Sequence, residues 1–283
     1  MSCAPLLAIA LMLTHATAAA GEASVAPETV SVHNGAVTLH ALLWHPSGPA
    51  PFPTVLFTHG SGPTMEPDKP ATLGPLFAKH GYVFLFLYRR GAGLSADQGT
   101  SPADLMDQEA ASHGPEARNE LQLRLLETDQ LSDVLAGLAF LRGRSDVDAR
   151  RLVVAGHSFG GVLSLLAAER DRRVAAVVDF AGGARSWSDS PALRARLLAA
   201  VDRITAPVFF IHAANDYSVA PAKVLGAEMA RLGKPYRVMI YPVVGKTAAE
   251  GHDLVYLGVA TWEPDVFAFL DESMRAESSE EGT

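Results

Sequence analysis

A serine in the short motif GHSFGG has the residue type and the surroundings that nucleophilic catalysis needs. Ser158 lies between an apolar run typical of a strand and an apolar run typical of a helix, and the motif fits G-x-S-x-G. Gly156 and Gly160 lack the Cβ atoms that would collide in so tight a turn, so the hydroxyl is expected to stand exposed. The motif therefore predicts a nucleophile that attacks an acyl carbon when a base is near.

His252 is the histidine that the chain places best to serve as that base. It lies in AAEGHDLVY, in a loop after the last predicted strand and before the last predicted helix, where Gly251 lets the loop approach closely. A histidine within hydrogen-bond reach of a serine removes its proton and later returns it to the leaving group. His157, beside the serine, is interpreted as a packing residue of the turn, and His212 as a hydrogen-bonded core residue of a strand.

Two aspartates compete for the acid that must orient His252 and stabilise its cation. Asp216 ends the segment FFIHAAND, at the carboxyl end of a predicted strand, where chemistry gathers in open α/β sheets. Asp179 lies inside the apolar run VVDFAGG, one strand earlier, which suits a structural role better. We predict the order Ser158, Asp216, His252 and keep Asp179 as the alternative acid.

The tetrahedral intermediate of acyl transfer needs hydrogen-bond donors, and two backbone amides are predicted to supply them. One is the amide of Phe159, which follows the nucleophile. The other comes from the loop THGSGP, after the predicted strand TVLF, where Ser61 or Gly62 offers an N–H group. We favour Ser61, and we expect His59 in the same loop to stabilise the loop rather than to catalyse.

Alternating strands and helices are predicted to bring these residues to one edge of a sheet. From residue 29 onward, short apolar runs alternate with helix-length segments, and runs such as 83–87 and 208–211 suit strands buried on both faces. We therefore predict an α/β fold with a doubly wound, mostly parallel sheet. The segment VTLHALLWHP near the start is predicted to be an antiparallel edge strand.

A single domain accounts for this pattern, because the chain shows neither an internal repeat nor a linker. We place the domain over residues 29–275 and predict that the acidic segment 276–283 is a mobile tail. Residues 95–126 are more polar and lie between two core elements. They are predicted to form a small helical insertion over the sheet, either a lid or a solvated helix.

Two side chains near the predicted sheet edge are candidates for contact with a substrate. The segment YRRGAGLS follows a strand and could bring Arg89 or Arg90 to the cleft, and Arg90 is taken as the candidate. Tyr217 lies next to Asp216 and could line the same pocket.

Composition excludes several classes of partner. A net charge of -8 argues against nucleic acid or an anionic membrane as the main partner. The sequence holds no apolar window of about 18 residues, so no membrane-spanning helix and no integral membrane association are predicted. Cys3 is the only cysteine, which leaves no thiolate metal site, and we expect neither a metal nor another cofactor.

The first 20 residues are predicted to be a signal peptide. Residues 4–13 are apolar except for one proline, and Ala18-Ala19-Ala20 offers the small residues that a signal peptidase reads. Ala16-Thr17-Ala18 is a second candidate cleavage site. We therefore expect the chain to be exported to the periplasm or secreted, with the lone cysteine removed.

In order and spacing, THGSGP, YRRGAGLS, GHSFGG, IHAAND and GHD resemble the α/β-hydrolase superfamily, and within it the dienelactone hydrolase-like and prolyl-oligopeptidase-like branch. The resemblance covers residues 30–272. It implies Ser158, Asp216 and His252 as a catalytic triad, with Ser61 and Phe159 as oxyanion donors. Dienelactone hydrolases carry a cysteine at the position of Ser158, and prolyl-oligopeptidase relatives usually carry a tyrosine at that of Phe159.

These features together predict a serine hydrolase that cleaves a small-molecule carboxylic ester through an acyl-enzyme intermediate. The first alternative is a small serine peptidase or amidase. The second is a non-catalytic binding protein on a hydrolase scaffold. No oligomeric state is predicted.

Overall fold

In the computed structural model the described residues are 26–64 and 66–280, with the side chains of 276–280 left aside. The predicted signal peptide, residues 1–20, lies outside this range, as do the last three residues of the predicted tail. The final helix runs over Val259–Glu280 and therefore extends into the segment predicted as a tail. Alanine and glutamate in that segment favour helix, which explains the extension.

One eight-stranded sheet organises the described part of the chain, in the order β1-β2-β4-β3-β5-β6-β7-β8. Strands β1 and β2 pair antiparallel, as do β2 and β4, and the remaining neighbours pair parallel. The predicted doubly wound α/β fold is therefore confirmed. The strands are β1 Glu28–Asn34, β2 Val37–Trp44, β3 Phe52–Thr58, β4 Val83–Tyr88, β5 Val147–His157, β6 Ala176–Phe180, β7 Val208–Ala213 and β8 Tyr236–Tyr241.

The antiparallel edge differs in one respect from the prediction. The segment predicted as the edge strand is β2, which lies inside the sheet, and β1 before it forms the edge. In β1 only Val30 and Val32 are buried, so its alternating sequence carries a weak hydrophobic signal.

Helices cover both faces of the sheet and bury two separate apolar clusters. One face packs against α2 to α6, with Leu126, Leu138, Leu163, Leu197 and Leu225 among its buried side chains. The other face packs against α1, α8 and α9. The helices are α1 Asp68–Lys79, α2 Pro102–Glu127, α3 Asp129–Arg142, α4 Phe159–Arg170, α5 Pro191–Arg203, α6 Ala220–Arg231, α7 Ala248–His252, α8 Leu254–Leu257 and α9 Val259–Glu280.

The polar stretch 95–126 forms most of a short 3₁₀ helix, Gly93–Gln98, and of helix α2. Helix α2 is kinked at Gly114, where φ is 90°. Its first turn reaches the loop after β3, since the Ala103 amide donates to the Ser61 carbonyl over 3.0 Å. Its second half reaches the loop after β6, because Asn119 Nδ2 donates to the Asp189 carbonyl. The helix therefore joins two loops that follow strands of the central sheet.

A close approach between α4 and the end of β3 fixes the turn that carries Ser158. A Cβ atom on Gly160 would lie 2.0 Å from the carbonyl oxygen of Thr58 and 2.5 Å from that of His59. A Cβ atom on Gly156 would lie 2.3 Å from the carbonyl oxygen of Gly160. Backbone occupies the space of both missing side chains, so the turn can keep its place only with glycine at both positions.

Gly160→Ala is expected to destabilise the protein by about 3 kcal/mol, because the new methyl group meets backbone atoms that cannot turn away. Urea unfolding of the two proteins measures the difference. Gly143→Ala is the matched control, since its Cβ would meet nothing closer than 3.5 Å. Equal stability of Gly160→Ala and wild type would contradict the close approach.

Candidate active site

Three side chains from distant parts of the chain form one hydrogen-bonded row. The Ser158 hydroxyl donates to His252 Nε2 over 2.8 Å, and His252 Nδ1 donates to Asp216 Oδ1 over 2.8 Å. Ser158 follows β5, Asp216 follows β7, and His252 ends the short helix α7. In this row His252 could take the proton of Ser158, and Asp216 could orient His252 and stabilise its cation. This arrangement suits nucleophilic acyl transfer.

Ser158 has a backbone conformation that residues other than glycine rarely adopt. Its φ is 58° and its ψ is -116°, and it directly precedes helix α4. The Ser158 amide donates to the Phe180 carbonyl over 2.8 Å, which ties the turn to strand β6. A strained residue persists only where its surroundings hold it, and such residues cluster at functional sites.

The Asp216 carboxylate is fully buried and receives three donors. His252 and the Tyr217 amide bind Oδ1, and His212 Nδ1 binds Oδ2 over 2.9 Å. Burial alone would raise the pKa of Asp216, but the hydrogen bonds from His212 and His252 outweigh it and lower the pKa to about 2. The acid of the row therefore carries its negative charge throughout the neutral pH range.

Asp179, the alternative acid, lies elsewhere. It is buried inside β6, and its Oδ1 accepts the Gly182 amide over 2.9 Å. A Cβ atom on Gly161 of α4 would lie 2.1 Å from the same oxygen, so the carboxylate points under that helix. Burial raises the pKa of Asp179 to about 6. The structure thus brings Asp216, and not Asp179, to His252.

The segment that carries His252 is held by contacts that the sequence did not predict. Helix α7 occupies what was expected to be a loop, and Thr247 and Glu250 form a capping box at its start. Asn215, next to Asp216, donates to the carbonyls of Val244 and Thr247, each over 2.8 Å. Because Asn215 binds the backbone before α7, it sets the distance between the acid and the base.

His157 links the serine turn to His252. Its Nε2 donates to the His252 carbonyl over 2.9 Å, and its ring lies 4.9 Å from the His252 ring. Burial, with the neighbouring His252 second, lowers the pKa of His157 to about 3, so the ring is neutral. The packing role predicted for His157 therefore includes a hydrogen bond across the site.

The loop after β3 lies beside Ser158, and Arg89 binds two of the backbone carbonyls of this loop. A Cβ atom on Gly60 would lie 3.8 Å from the Ser158 Cβ. Arg89 Nη2 donates to the carbonyls of His59 and Gly60 over 2.6 and 2.5 Å. A trans peptide points its C=O and N–H in opposite directions, so the clamp on the Gly60 carbonyl turns the Ser61 amide away from Arg89.

The two predicted oxyanion donors are Ser61, which follows the Gly60 that approaches Ser158, and Phe159, which follows Ser158 itself. Among residues 26–64 and 66–280, neither the Ser61 amide nor the Phe159 amide donates to a protein acceptor. Phe159 is the first residue of α4, where amides have no partner inside the helix. Its ring packs against the guanidinium of Arg89, 5.2 Å away. Burial lowers the pKa of Arg89 to about 9, which still leaves it charged at neutral pH.

His59 occupies the position of a loop stabiliser, as expected. It is fully buried, its Nδ1 donates to the Gly60 carbonyl over 2.8 Å, and its Nε2 accepts the Arg89 amide. Burial, with Arg89 second, holds the pKa of His59 well below its usual range. A neutral ring with both nitrogens engaged fixes the loop and takes no proton from the serine.

The structure corrects the expectation that Arg90 contacts substrate. Its Nε and Nη2 bind the buried carboxylate of Asp133, at 3.0 and 2.7 Å, and its Nη1 pairs with Asp129 at 3.2 Å. All three guanidinium nitrogens are thus engaged by helix α3. Arg90 braces the chain after β4, and the neighbouring Arg89 is the arginine that turns towards the site.

Tyr217, the other candidate contact, does lie at the site. Its ring meets the His252 ring edge to face with centroids 5.3 Å apart, and 42% of the residue is exposed. Arg185 stacks on the same ring at 4.5 Å and donates to the hydroxyl over 3.1 Å. An exposed aromatic ring therefore lies directly against His252.

The described residues offer neither a cluster of metal-ligating side chains nor a membrane-spanning helix. No group of three or more histidine, cysteine, aspartate or glutamate side chains there is placed to hold a metal ion. No helix in that part of the chain is both long and apolar enough to cross a bilayer.

The buried His157 predicts a specific acid sensitivity. Its pKa is about 3 in the folded protein and near its ordinary value of about 6.5 in the unfolded chain. The unfolded state therefore binds more protons between these values, and stability falls as the pH drops from about 6.5 towards 3. His157→Gln keeps a donor at the Nε2 position and removes the titration.

The free energy of unfolding of His157→Gln is therefore expected to fall less steeply between pH 6 and pH 4, by about 1 kcal/mol per pH unit. Urea unfolding at several pH values measures both slopes, and His59 contributes equally in the two proteins. Parallel slopes would show that His157 is not held neutral in the folded state.

Comparison with known proteins adds a family match and a set of structural neighbours. The model of the dienelactone hydrolase family matches residues 39–254. The quorum-quenching protein AidA of Acinetobacter baumannii is 29% identical over 168 residues, which are 59% of this chain and 48% of that protein. The chain thus spans about half the length of this curated relative.

Three solved structures share the fold at low sequence identity. The dienelactone hydrolase-like promiscuous phosphotriesterase P91, from metagenomic libraries, is 18% identical with a TM-score of 0.63, over 89% of this chain and 99% of that chain. Est1E from Butyrivibrio proteoclasticus with bound ferulic acid is 18% identical with a TM-score of 0.61, over 84% and 99%. An acylaminoacyl peptidase from Pyrococcus horikoshii is 17% identical with a TM-score of 0.58, over 86% and 42%.

Proposed function

The chain belongs to the dienelactone hydrolase family, and from that premise we propose that it hydrolyses a carboxylic ester with Ser158 as its nucleophile. Family and neighbours support a hydrolase of the serine type in general. The observation that carries the finer proposal is the row of hydrogen bonds from Ser158 through His252 to Asp216. Each bond is 2.8 Å long, which is within the range of direct proton transfer.

The first half of the proposed reaction acylates the enzyme. Ser158 Oγ attacks the ester carbonyl carbon while its proton passes to His252 Nε2. The carbonyl oxygen becomes negative and is held by the amides of Ser61 and Phe159. His252 then gives the proton to the alkoxy oxygen, the C–O bond breaks, and the alcohol leaves.

The second half releases the acid. A water molecule loses a proton to His252 as its oxygen attacks the acyl carbon, and the same two amides hold the oxyanion again. The bond to Ser158 breaks, and its oxygen regains the proton from His252. Asp216, ionised and buried, stabilises the imidazolium in both halves without accepting its proton.

Ser158→Ala tests whether the row acts as a nucleophile at all. Removing a triad member typically costs several orders of magnitude, so hydrolysis of a p-nitrophenyl ester should fall below about 1% of wild type while the fold is kept. A fluorophosphonate probe should label the wild type at Ser158 and leave the variant unlabelled. An unlabelled wild type would instead favour a binding protein on a hydrolase scaffold.

A substrate panel tests ester against amide cleavage. It contains p-nitrophenyl esters of increasing acyl length, aminoacyl anilides and a feruloyl ester, the last because Est1E binds ferulic acid. Esters are expected to be cleaved with the higher kcat/KM, since their leaving group needs less protonation than an amine. Faster cleavage of the anilides would establish the peptidase or amidase alternative.

Asp216→Asn and Asp179→Asn separate the two candidate acids. Asparagine at 216 favours the wrong imidazole tautomer, so kcat should fall by roughly 10³ to 10⁴ with little change in KM. Asp179→Asn should reduce kcat by about tenfold or less, because Asp179 does not reach His252. Loss of turnover in a folded Asp179→Asn protein, with Asp216→Asn mild, would reverse the assignment.

A further inference from the structure

Tyr217 contacts both the acid and the base that the proposed reaction uses. Its backbone amide donates to Asp216 Oδ1 over 2.7 Å, and the same oxygen accepts the hydrogen bond from His252 Nδ1. Its ring lies against the His252 ring, with centroids 5.3 Å apart and an angle of 72° between the two planes. One residue therefore touches the acid with its backbone and the base with its side chain.

Arg185 holds the Tyr217 ring in this place although the ring is exposed. An exposed side chain ordinarily changes rotamer within nanoseconds, and 42% of Tyr217 is exposed. The guanidinium of Arg185 lies 4.5 Å from the centroid of the ring, and its Nη2 donates to the hydroxyl over 3.1 Å. Among the described residues the guanidinium has no other hydrogen-bond partner, so the Tyr217 side chain is the group that it binds.

The loop that carries Arg185, residues 181–190, is itself fixed to the sheet. The Ala181 amide donates to the carbonyl of Ile211 in β7 over 2.8 Å, although Ala181 has a φ of 60° that its surroundings must hold. Ala184 and Trp187, which flank Arg185, are only 4% and 5% exposed. Since β7 also leads into Asp216 and Tyr217, the loop and the ring that it supports share one anchor.

His252 loses one of its two side-chain hydrogen bonds during the proposed reaction. Before the reaction its ring is held at Nδ1 by Asp216 and at Nε2 by Ser158. Once Ser158 carries the acyl group, its oxygen has no proton to donate, and the hydrogen bond to Asp216 alone allows the ring to tilt. Yet Nε2 must still be directed at the attacking water, and a misplacement of about 1 Å can cost about a hundredfold in rate.

We propose that Tyr217, held by Arg185, is a positioning residue that keeps His252 Nε2 directed at the water that hydrolyses the acyl-enzyme. An aromatic ring packed edge to face against the imidazole restricts its tilt and leaves both nitrogens free for their hydrogen bonds. Arg185 acts through Tyr217. The role rests on the proposed serine mechanism, and it matters most after acylation, when His252 has lost its bond to Ser158.

Tyr217→Leu tests this role, with Tyr236→Leu as the matched control. Tyr236 is similarly exposed, at 41%, but it begins strand β8 and so lies at the opposite end of the sheet from Asp216. A p-nitrophenyl ester has a good leaving group that makes acylation fast, so kcat reports deacylation and kcat/KM reports acylation. Tyr217→Leu should lower kcat about tenfold and kcat/KM about threefold or less, whereas Tyr236→Leu should change neither.

Two further measurements separate positioning from a merely structural role. Rapid quenching followed by mass spectrometry of the intact protein should show more acylated Ser158 in Tyr217→Leu than in wild type. Tyr217→Phe keeps the ring and should bring kcat back to within about threefold of wild type. A structural defect would instead lower kcat and kcat/KM equally, together with the melting temperature. An equal loss in both constants, or no loss in kcat, would overturn the proposal.

A double-mutant cycle tests whether Arg185 acts through Tyr217. Arg185→Ala alone should lower kcat about three- to fivefold, and this loss should disappear in the Tyr217→Leu background. Additive losses would contradict action through the ring. A rise in KM for a carboxylate-bearing ester that persists in the Tyr217→Leu background would show that Arg185 binds substrate directly, which would also contradict it.

The same experiments distinguish a failure of this role from a failure of the proposed function. A wild type that cleaves no ester and forms no acyl-enzyme would overturn the proposed function and this role with it. A wild type that cleaves the ester, with Tyr217→Leu cleaving it equally fast, would overturn the positioning role alone.

Discussion

The buried negative charge of Asp216 is the constraint around which the rest of the site is arranged. A carboxylate removed from water is costly unless donors replace its lost hydration, and here three donors do so. They come from strand β7, from the backbone just after it, and from helix α7. Asn215 then fixes the backbone before α7, so one charge sets the relative position of three segments.

A buried cation packs against Phe159, the residue that follows Ser158. Arg89 is buried behind the loop after β3, and its guanidinium binds the carbonyl oxygens of His59 and Gly60. In the proposed reaction positive charge develops on His252, next to the anion, and negative charge develops beside amides that Arg89 holds in place. The two fixed charges thus match the separation of charge in the transition state, and neither has to reorient as the reaction proceeds.

Much of this site could be predicted because the end of a strand and a glycine-rich turn can each be recognised from a short stretch of sequence. Asp216 could be placed because it ends an apolar run, and the fold followed from the alternation of such runs. Arg90 was chosen over Arg89 without a signal that separates them, because β4 is buried on both faces and its pattern hides which side each following residue takes. The placement of Asp179 opposite Phe210 of β7 depends on strand register, which no single segment reveals.

The hydrogen bond from Arg89 to the Gly60 carbonyl fixes the backbone of the loop after β3, but it places no demand on the side chain of Ser61. What Ser61 contributes to the proposed chemistry is its backbone amide, which nearly every residue type possesses, whereas the direction of that amide depends on Arg89. During evolution the side chain at position 61 can therefore drift with changing substrates at little cost in rate. Arg89 has no such freedom, because its buried guanidinium holds the carbonyl that sets this direction.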